Sequence, residues 1–439
     1  MSLVARLRSR GLLAACTAPE GFEAAWQLGA ARRPGAYLGL DPTADGLHVG
    51  NLAAVMALRH AQQAGMRAVA LVGGATGLVG DPSGRDSERE LLGREQVARN
   101  VAGLREDLAG LLDFGQGQAA LVDNAEWFSG MSALELLRDV GRHFRVGTML
   151  SRDSVRNRME RPGLGAGAGE GEGVSFTEFS YQLLQAYDFL HLYRTMDCRV
   201  QLGGSDQWGN IVGGVELIRR TLRATDAVGV TLPLLVNKAG QKFGKSAGNA
   251  VWLKPSKTSD YAFYQFLLRT EDQDVGALLL KLTEIDVADV EALFAAHAQQ
   301  PHERRAQAAL ADAVTTLVRG ERRTASARAV SAALFGGAAQ MDQIAADDLL
   351  AIAAAGDAPM AEVPAADVLG RERVTDLAVR VGACKSKGEA RRLQASNGLY
   401  LNNRRVDTPD ALVEPWHSIE GRALLLRTGK KAYTVVKLV

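Results

Sequence analysis

The sequence predicts an α/β protein in three parts: a parallel-sheet domain, an α-helical segment and a small basic α+β module. Three observations carry this. Short apolar runs alternate with helix-length segments over the first half of the 439 residues, the pattern of βαβ units and a parallel sheet. From Ser259 onward the pattern turns helical, with Leu310, Val314 and Leu317 recurring at helix spacing in an Ala-rich background. Residues 371–439 hold 14 basic and 7 acidic residues, a net of +7, whereas the other 370 residues hold 37 basic and 43 acidic, a net of −6. A basic module on a mildly acidic body suits a polyanionic partner.

Taken in order, the N-terminus offers two readings. Arg6, Arg8 and Arg10, with no acid before Glu20, look weakly transit-like. Leu3, Leu7 and Leu12 instead fit a short amphipathic helix. Residues 36–40 read as a strand, followed by the turn Asp41-Pro42-Thr43 and a helix over about 47–63. A second strand at 67–72 ends in Gly73-Gly74, a helix follows at 95–112, and a third strand at 119–122. Ligands of such sheets sit at the carboxyl ends of the strands. Residues 161–173, RPGLGAGAGEGEG, cannot bury a core and read as a surface loop. They lack the preceding strand and the Gly-Lys-Ser/Thr ending of a phosphate loop. Pro, Gly and Ala around 355–366 mark a linker. In the last segment a helix is expected near 374–381. Ser386 and Glu389 have capping-box spacing before a second helix. Gly398 suits its stop, and a strand begins at Leu399. Lys385, Lys387, Arg391 and Arg392 cluster on the turn and second helix.

Composition limits the function classes. Apolar residues make up 47% and charged residues 23%, as in soluble globular proteins. No apolar run is long enough to span a bilayer. Cys16, Cys198 and Cys384 are too far apart for zinc-finger spacing or a disulfide framework, which fits a reducing compartment. The length favours two to four domains.

Three segments carry candidate chemistry. In the first, residues 37–51, a strand feeds a turn that opens a helix. A helix N-terminus attracts phosphate through its free N–H groups and its dipole. Gly50 leaves room for a flat ring, and His48 can donate to a phosphate. The plain alternative is a turn with a surface histidine. The second, Lys242-Phe-Gly-Lys245-Ser246, places two lysines three apart around a glycine and can bring positive charge onto a phosphate chain. Its alternative is a solvated basic loop. The third, Gln201 to Asn210, is a strand ending in Gly203-Gly204 followed by Asp206 and Gln207, suited to a sugar or amino-group contact. Its alternative is a polar loop.

Together these are far more specific than any one alone. HVGN at 48–51 and KFGKS at 242–246 resemble the two signatures of class I aminoacyl-tRNA synthetases. The segments YLGLDPTADGLHVG, ALVGGATGLVGDPSGR, FTEFSYQLLQAYDF and QLGGSDQWGNI resemble the bacterial-type tyrosyl-tRNA synthetases, and the resemblance runs along nearly the whole chain. It implies a Rossmann-like catalytic domain at 1–245, an α-helical anticodon-side domain at 246–350, a linker at 351–370 and an S4-like RNA-binding domain at 371–439. The family begins with a helix, which weakens the transit reading.

The resemblance also implies roles. Tyrosine is activated by ATP to tyrosyl-adenylate, and the tyrosyl group passes to the terminal ribose of tRNA(Tyr). His48, Thr43, Asn51, Lys242, Lys245 and Ser246 would act on the phosphates, with Arg85 and Arg89 as helpers. Tyr37 and Asp188 match the positions that hold the phenol hydroxyl. Tyr181, Gln185 and Asp81 match those around the α-ammonium, and Gln207 the substrate carboxylate region. Gly39, Asp41, Gly50, Gln201, Gly203 and Asp206 match positions near the adenylate. Tyr181, Gln185 and Asp188 are four and three residues apart, so one helix face can present all three. Lys385, Lys387, Arg391 and Arg392 would contact RNA. ATP is expected as a substrate with Mg2+ on its phosphates, with no tightly bound cofactor, no protein-held metal and no membrane association. The family is homodimeric, and a cytoplasmic location is expected. Two departures stand out. Asn51 replaces the second histidine of the first signature, and Leu38 stands where a cysteine is common. Ser246 replaces a threonine but keeps the hydroxyl. The rival readings are a tryptophanyl-tRNA synthetase and a non-catalytic RNA-binding protein on the same scaffold. Tyr37 with Asp188 and the basic tail speak against the first; His48 and the two lysines speak against the second.

Overall fold

Six strands build the sheet that positions the site: β1 (Ala15–Cys16), β2 (Gly35–Leu40), β3 (Arg67–Val72), β4 (Ala119–Asp123), β5 (Cys198–Gly204) and β6 (Val228–Leu232). The computed structural model describes residues 2–18, 34–81, 83, 92–152, 155, 156, 159, 174–236, 243–246, 249–335, 341, 344–429 and 432–439. The strand order is β1-β6-β5-β2-β3-β4. Neighbours run parallel except for β1, which is antiparallel to β6. β3 reads RAVALV with five residues buried, the continuous apolar run expected of a parallel strand covered on both faces. β2 lies between β3 and β5, where the chain order reverses. The carboxyl ends of β2 and β5 therefore flank the crevice in which ligands of open parallel sheets bind.

Helices Val49–Gln63, Arg94–Leu111, Phe176–Met196 and Trp208–Leu222 accompany this sheet. The first begins two residues later than expected because His48 is extended (φ −116°, ψ 168°). The N-terminal segment forms helix Leu3–Ser9, capped by Ser2, with Leu3, Leu7 and Leu12 buried. Arg10 is also buried. Its guanidinium donates to the carbonyls of Leu280, Thr283 and Ile285 at 3.1, 2.9 and 2.7 Å. One of the three arginines that colour the N-terminus thus satisfies carbonyls left over at the end of helix Asp272–Leu282.

The chain divides into two compact units, Met1–Leu253 with Glu271–Ala306, and Lys254–Thr270 with Gln307–Val439. The expected boundaries at 245, 350 and 370 do not coincide with this division. Helices Asp272–Leu282 and Val287–Gln299 belong with the sheet unit. Helices Asp260–Leu268 and Glu321–Phe335 share a unit with the basic module.

The second unit is built on a five-stranded sheet ordered Arg404–Arg405, Leu399–Leu401, Ala423–Thr428, Ala432–Leu438, Met360–Val363. Leu399, Leu401, Leu424, Leu426 and Val436 pack with Val374, Leu377 and Ala390 on one face. Leu425 and Val435 pack with Val330, Leu334, Leu349 and Ile352 on the other. The alternation of a strand thus gives the sheet a helical cover on both sides. The expected linker at 351–370 is corrected here. It holds the end of helix Ala346–Ala354, the strand Met360–Val363, which pairs in parallel with Ala432–Leu438, and a short helix, Ala365–Val368. A four-residue edge strand between two prolines has no local signature, and its partner lies at the far end of the chain.

Helix Lys387–Ala395 starts where expected: Ser386 Oγ accepts from the Glu389 N–H at 3.2 Å. The Glu389 carboxylate accepts from the Lys385 N–H at 2.7 Å, so the reciprocal bond reaches one residue further back. Asn397 (φ 62°), not Gly398, takes the left-handed position after this helix. The Gly-rich segment 161–173, Arg85, Arg89 and Lys242 lie outside the described residues. Among the described residues no helix is long and apolar enough to cross a membrane.

Candidate active site

Asp188, on helix Phe176–Met196, is 3% exposed. Its Oδ1 accepts from the Trp127 indole N–H at 2.9 Å, and its Oδ2 from the Asn124 amide at 3.1 Å. Burial pushes its pKa well above the ordinary carboxylate range; the two donors oppose the rise, and the charges of Asp41 and Asp123 add to it. Tyr37, on β2, is buried and tilts against Phe189 at a ring separation of 5.3 Å. Its phenol pKa is raised by burial and by the charge of Asp188. The Tyr37 hydroxyl has no hydrogen-bond partner among the described residues. Leaving such a group unsatisfied costs about 1–3 kcal/mol, so the position is made for a polar ligand atom.

A chain of hydrogen bonds leads away from this pair. Asn124 also donates to Thr76 Oγ1 at 3.0 Å, and Thr76 donates to Asp41 Oδ1 at 2.8 Å. The Tyr181 hydroxyl donates to Asp41 Oδ2 at 2.8 Å. Asp41, expected near the adenylate, is thereby held from the amino-acid side. Gly73 permits this closeness, because a Cβ there would stand 2.2 Å from Thr76 Oγ1 and 2.4 Å from Asp41 Oδ1.

Asp81 accepts from the Gln207 amide at 2.6 Å. Asn210 donates to Gln185 Oε1 at 3.0 Å and to Asp81 Oδ1 at 3.4 Å. A buried carboxylate ringed by amide groups suits an ammonium ligand. Tyr181, Gln185 and Asp188 do share one helix face, each engaged with a different part of this network. Gln201 is buried, and its Oε1 has no partner among the described residues.

The two signature segments meet at the start of helix Val49–Gln63. His48 caps it, and its ring lies edge-on to Trp252 at 5.9 Å. Asn51 Oδ1 accepts from the His48 N–H at 3.1 Å, so the residue replacing the second signature histidine holds the first in place. A Cβ on Gly50 would lie 2.9 Å from the His48 ring and 3.2 Å from the Phe243 carbonyl. Gly244 has φ +92°, and a Cβ there would stand 2.7 Å from the Gly50 nitrogen. The Phe243-Gly244 turn therefore lies directly on the helix N-terminus. It is fastened by the bonds Val251 N–H to Gly244 O at 2.8 Å and Val49 N–H to Val251 O at 2.9 Å. The backbone of Lys245–Ser246 pairs with Asn249–Ala250.

The remaining expected residues divide. Gly39 is exposed at the end of β2, with nothing closer than 3.8 Å to a built Cβ. Thr43 is exposed on the following turn, its N–H bonded to the Asp41 carbonyl at 2.8 Å. Gly203 serves packing, since a Cβ would press to 2.9 Å from Ile211. Asp206 lines a cavity of about 500 Å³ with Arg145, Arg152, Trp208 and Arg220; neither Tyr37 nor Asp188 borders it. Burial pulls Arg152 there down to about 10. Lys385, Lys387, Arg391 and Arg392 are all exposed in the other unit, and Lys387 also pairs with Asp376 at 2.8 Å.

Thr76, Asn124, Trp127 and Asn210 are absent from the sequence-based set. Asn124 follows the carboxyl end of β4, and that position was the available signal. Trp127 lies one helical turn beyond it.

Residues 30–336 match the model of the tRNA synthetases class I (W and Y), and residues 354–436 that of the tyrosine–tRNA ligase SYY-like C-terminal domain. A tyrosine–tRNA ligase of Opitutus terrae is 45% identical over 442 residues, covering 100% of both chains. That of Geobacillus kaustophilus is 42% identical over 445 residues, also covering 100% of both. Among solved structures, a C-terminally truncated Aspergillus nidulans mitochondrial tyrosyl-tRNA synthetase is 32% identical with a TM-score of 0.65, covering 76% of this chain and 94% of that one. With two family models matching and relatives above 40% identity along the whole chain, the chain belongs to the class I tRNA synthetase family, in its bacterial-type tyrosine–tRNA ligase branch.

Proposed function

We propose that this chain activates L-tyrosine with ATP, releasing pyrophosphate, and passes the tyrosyl group to the terminal ribose of tRNA(Tyr). The observation that carries the reading is the buried pair of Tyr37 and Asp188. A phenol is neutral at pH 7, with a pKa of about 10. It can donate to the oriented Asp188 carboxylate and accept from the Tyr37 hydroxyl, whereas phenylalanine would leave the Tyr37 hydroxyl unsatisfied and deny Asp188 a third donor. Asp81, Tyr181 and Gln185 receive the α-ammonium end, and Gln207 stands towards the substrate carboxylate.

The tyrosine carboxylate then attacks the α-phosphorus of ATP in line. Positioning and stabilisation of the pyrophosphate charge do most of the work. His48, Thr43 and the amides at the start of helix Val49–Gln63 face that charge. Lys242, Lys245 and Ser246 join from the second signature, while Gly39, Gly50, Gln201, Gly203 and Asp206 border the nucleotide. Mg2+ bound to the ATP phosphates, with several waters kept in its shell, would neutralise part of their charge. Lys385, Lys387, Arg391 and Arg392 offer charge to tRNA. The chain works as a homodimer in the cytoplasm. In support of a dimer, the sheet unit exposes Leu134, Leu137, Val146 and Phe176 at 55–79%, large apolar side chains of the kind that contact surfaces use.

Pyrophosphate exchange with each of the twenty amino acids tests the activity. Exchange with tyrosine alone is expected; exchange with tryptophan, or with none, overturns the reading. Sedimentation of a Phe176→Glu variant tests the dimer, which should dissociate.

A further inference from the structure

We propose that Trp416 is a stacking platform for an unpaired base of the bound tRNA. This deepens, and rests on, the reading of the C-terminal module as the RNA-binding part. Trp416 is 66% exposed, more than any other described tryptophan. A single exposed apolar side chain is ordinary; one on a fastened turn with a guanidinium beside it is not. Trp416 sits in the one-turn 3-10 helix Pro415–His417. The Glu414 N–H donates to His417 Nδ1 at 2.9 Å, and Ser418 Oγ donates to the Pro415 carbonyl at 2.7 Å. The Asn402 amide donates to the His417 carbonyl, and Asn402 Oδ1 accepts from the Leu425 N–H at 2.8 Å. The turn is thus fastened to the sheet. The indole leans on the His417 ring at 3.7 Å, and the Arg404 guanidinium lies 5.8 Å from its centre.

The same edge carries the basic residues. Arg404 and Arg405 are exposed on their short strand. The Gln394 amide ties helix Lys387–Ala395 to the carbonyls of Val406 and Asp407 at 3.2 and 2.9 Å. Arg391 and Arg392 therefore belong to the same rigid body as the Trp416 turn. A flat aromatic held open beside Arg404, on a unit that also exposes Arg391, Arg392 and Arg405, matches an unpaired nucleobase, which stacks on the ring while its phosphates meet cations. Stacking needs a π-face and no charge, so it should leave no trace in the salt dependence of binding.

The test uses the full chain with Trp416→Ala, Trp416→Phe and the double variant Arg391→Ala/Arg392→Ala. The affinity for tRNA(Tyr) is titrated across salt concentrations, beside tyrosine-dependent pyrophosphate exchange and thermal melting. Trp416→Ala is expected to weaken tRNA binding ~5–100-fold with an unchanged salt slope, while Trp416→Phe stays within about threefold because a ring remains. Exchange should be unaffected in both. The arginine pair should weaken binding and flatten the slope. Should Trp416→Ala bind tRNA like the parent while the arginine pair weakens it, the stacking assignment falls and the RNA-binding reading stands. Should neither variant weaken binding, the RNA-binding reading falls and the platform with it. A changed sedimentation coefficient with unchanged tRNA affinity would make Trp416 a protein contact and overturn the proposal.

Discussion

Asp188 and the arginine pair Arg391/Arg392 show two ways of recognising a polar ligand. Asp188 is almost fully enclosed, and both of its oxygens are already held by Trp127 and Asn124. Arg391 and Arg392 stand in solvent on helix Lys387–Ala395. In the first case water is excluded and the geometry is set beforehand, so one missing hydrogen bond is expensive. In the second the cations are screened, each contact is weak, and binding grows by the release of counterions. The enclosed site can tell a hydroxyl from a hydrogen. The exposed surface can only attract, and must borrow specificity from shape or stacking.

The largest expected effect tests the enclosed side. Asp188→Ala should lower kcat/KM for tyrosine ~100-fold or more while costing phenylalanine far less. Equal losses for the two substrates would remove the phenol from this pocket.

Next comes a buried group with no ligand role. His60 is fully buried, its Nδ1 lies 3.2 Å from Gln63 Oε1, and its pKa falls to about 4 through burial and the charges of Arg10, Arg6 and Arg59. The folded state then binds fewer protons than the unfolded one. His60's contribution to stability is complete above its unfolded value of about 6.5 and fades as pH falls toward 4. From pH 8 to pH 5 this amounts to about 2 kcal/mol, seen as a falling melting temperature. His60→Gln should flatten that slope; an unchanged slope would assign the acid sensitivity elsewhere.

A smaller effect joins the two signature segments. Gly244→Ala puts a methyl group into the Gly50 backbone and an L-residue at a left-handed φ. Adenylate formation should slow ~10-fold, with the tyrosine dissociation constant nearly unchanged, since the strain falls on the phosphate side. Stopped-flow measurement of the activation step separates the two, and parallel losses would place the turn in the amino-acid pocket.

Smallest per residue is the exposed side. Arg391→Ala and Arg392→Ala should each weaken tRNA binding only a few-fold and reduce the salt slope by about 1. A loss as large as that at Asp188 would mean that these arginines are desolvated in the complex, and the contrast between the two regions would fail. Point variants suit this question better than deletion of residues 371–439. The second-unit sheet packs Leu425 and Val435 against Val330, Leu334 and Leu349, so removal would strip a core along with the charge.

Local pattern determined much of this protein. The alternation of strand and helix placed β2, β3 and β4 within a residue of their observed limits. The spacing Tyr181-Gln185-Asp188 placed three pocket groups on one face, and Ser386 marked the start of its helix. Each rests on neighbours a few positions apart, where periodicity and capping act directly. Tertiary structure decided the rest. It chose Trp127 and Asn124 as the groups that hold Asp188, set Asn51 to bind the His48 backbone, and laid Gly244 on Gly50. It turned an apparent linker into the edge strand Met360–Val363, and placed helices Asp272–Leu282 and Val287–Gln299 with the first sheet. For all but the Asn51–His48 cap, which is local, the physical reason is the same: these partners lie tens to hundreds of residues apart, and whether they meet depends on how whole elements pack, which no short stretch of sequence encodes.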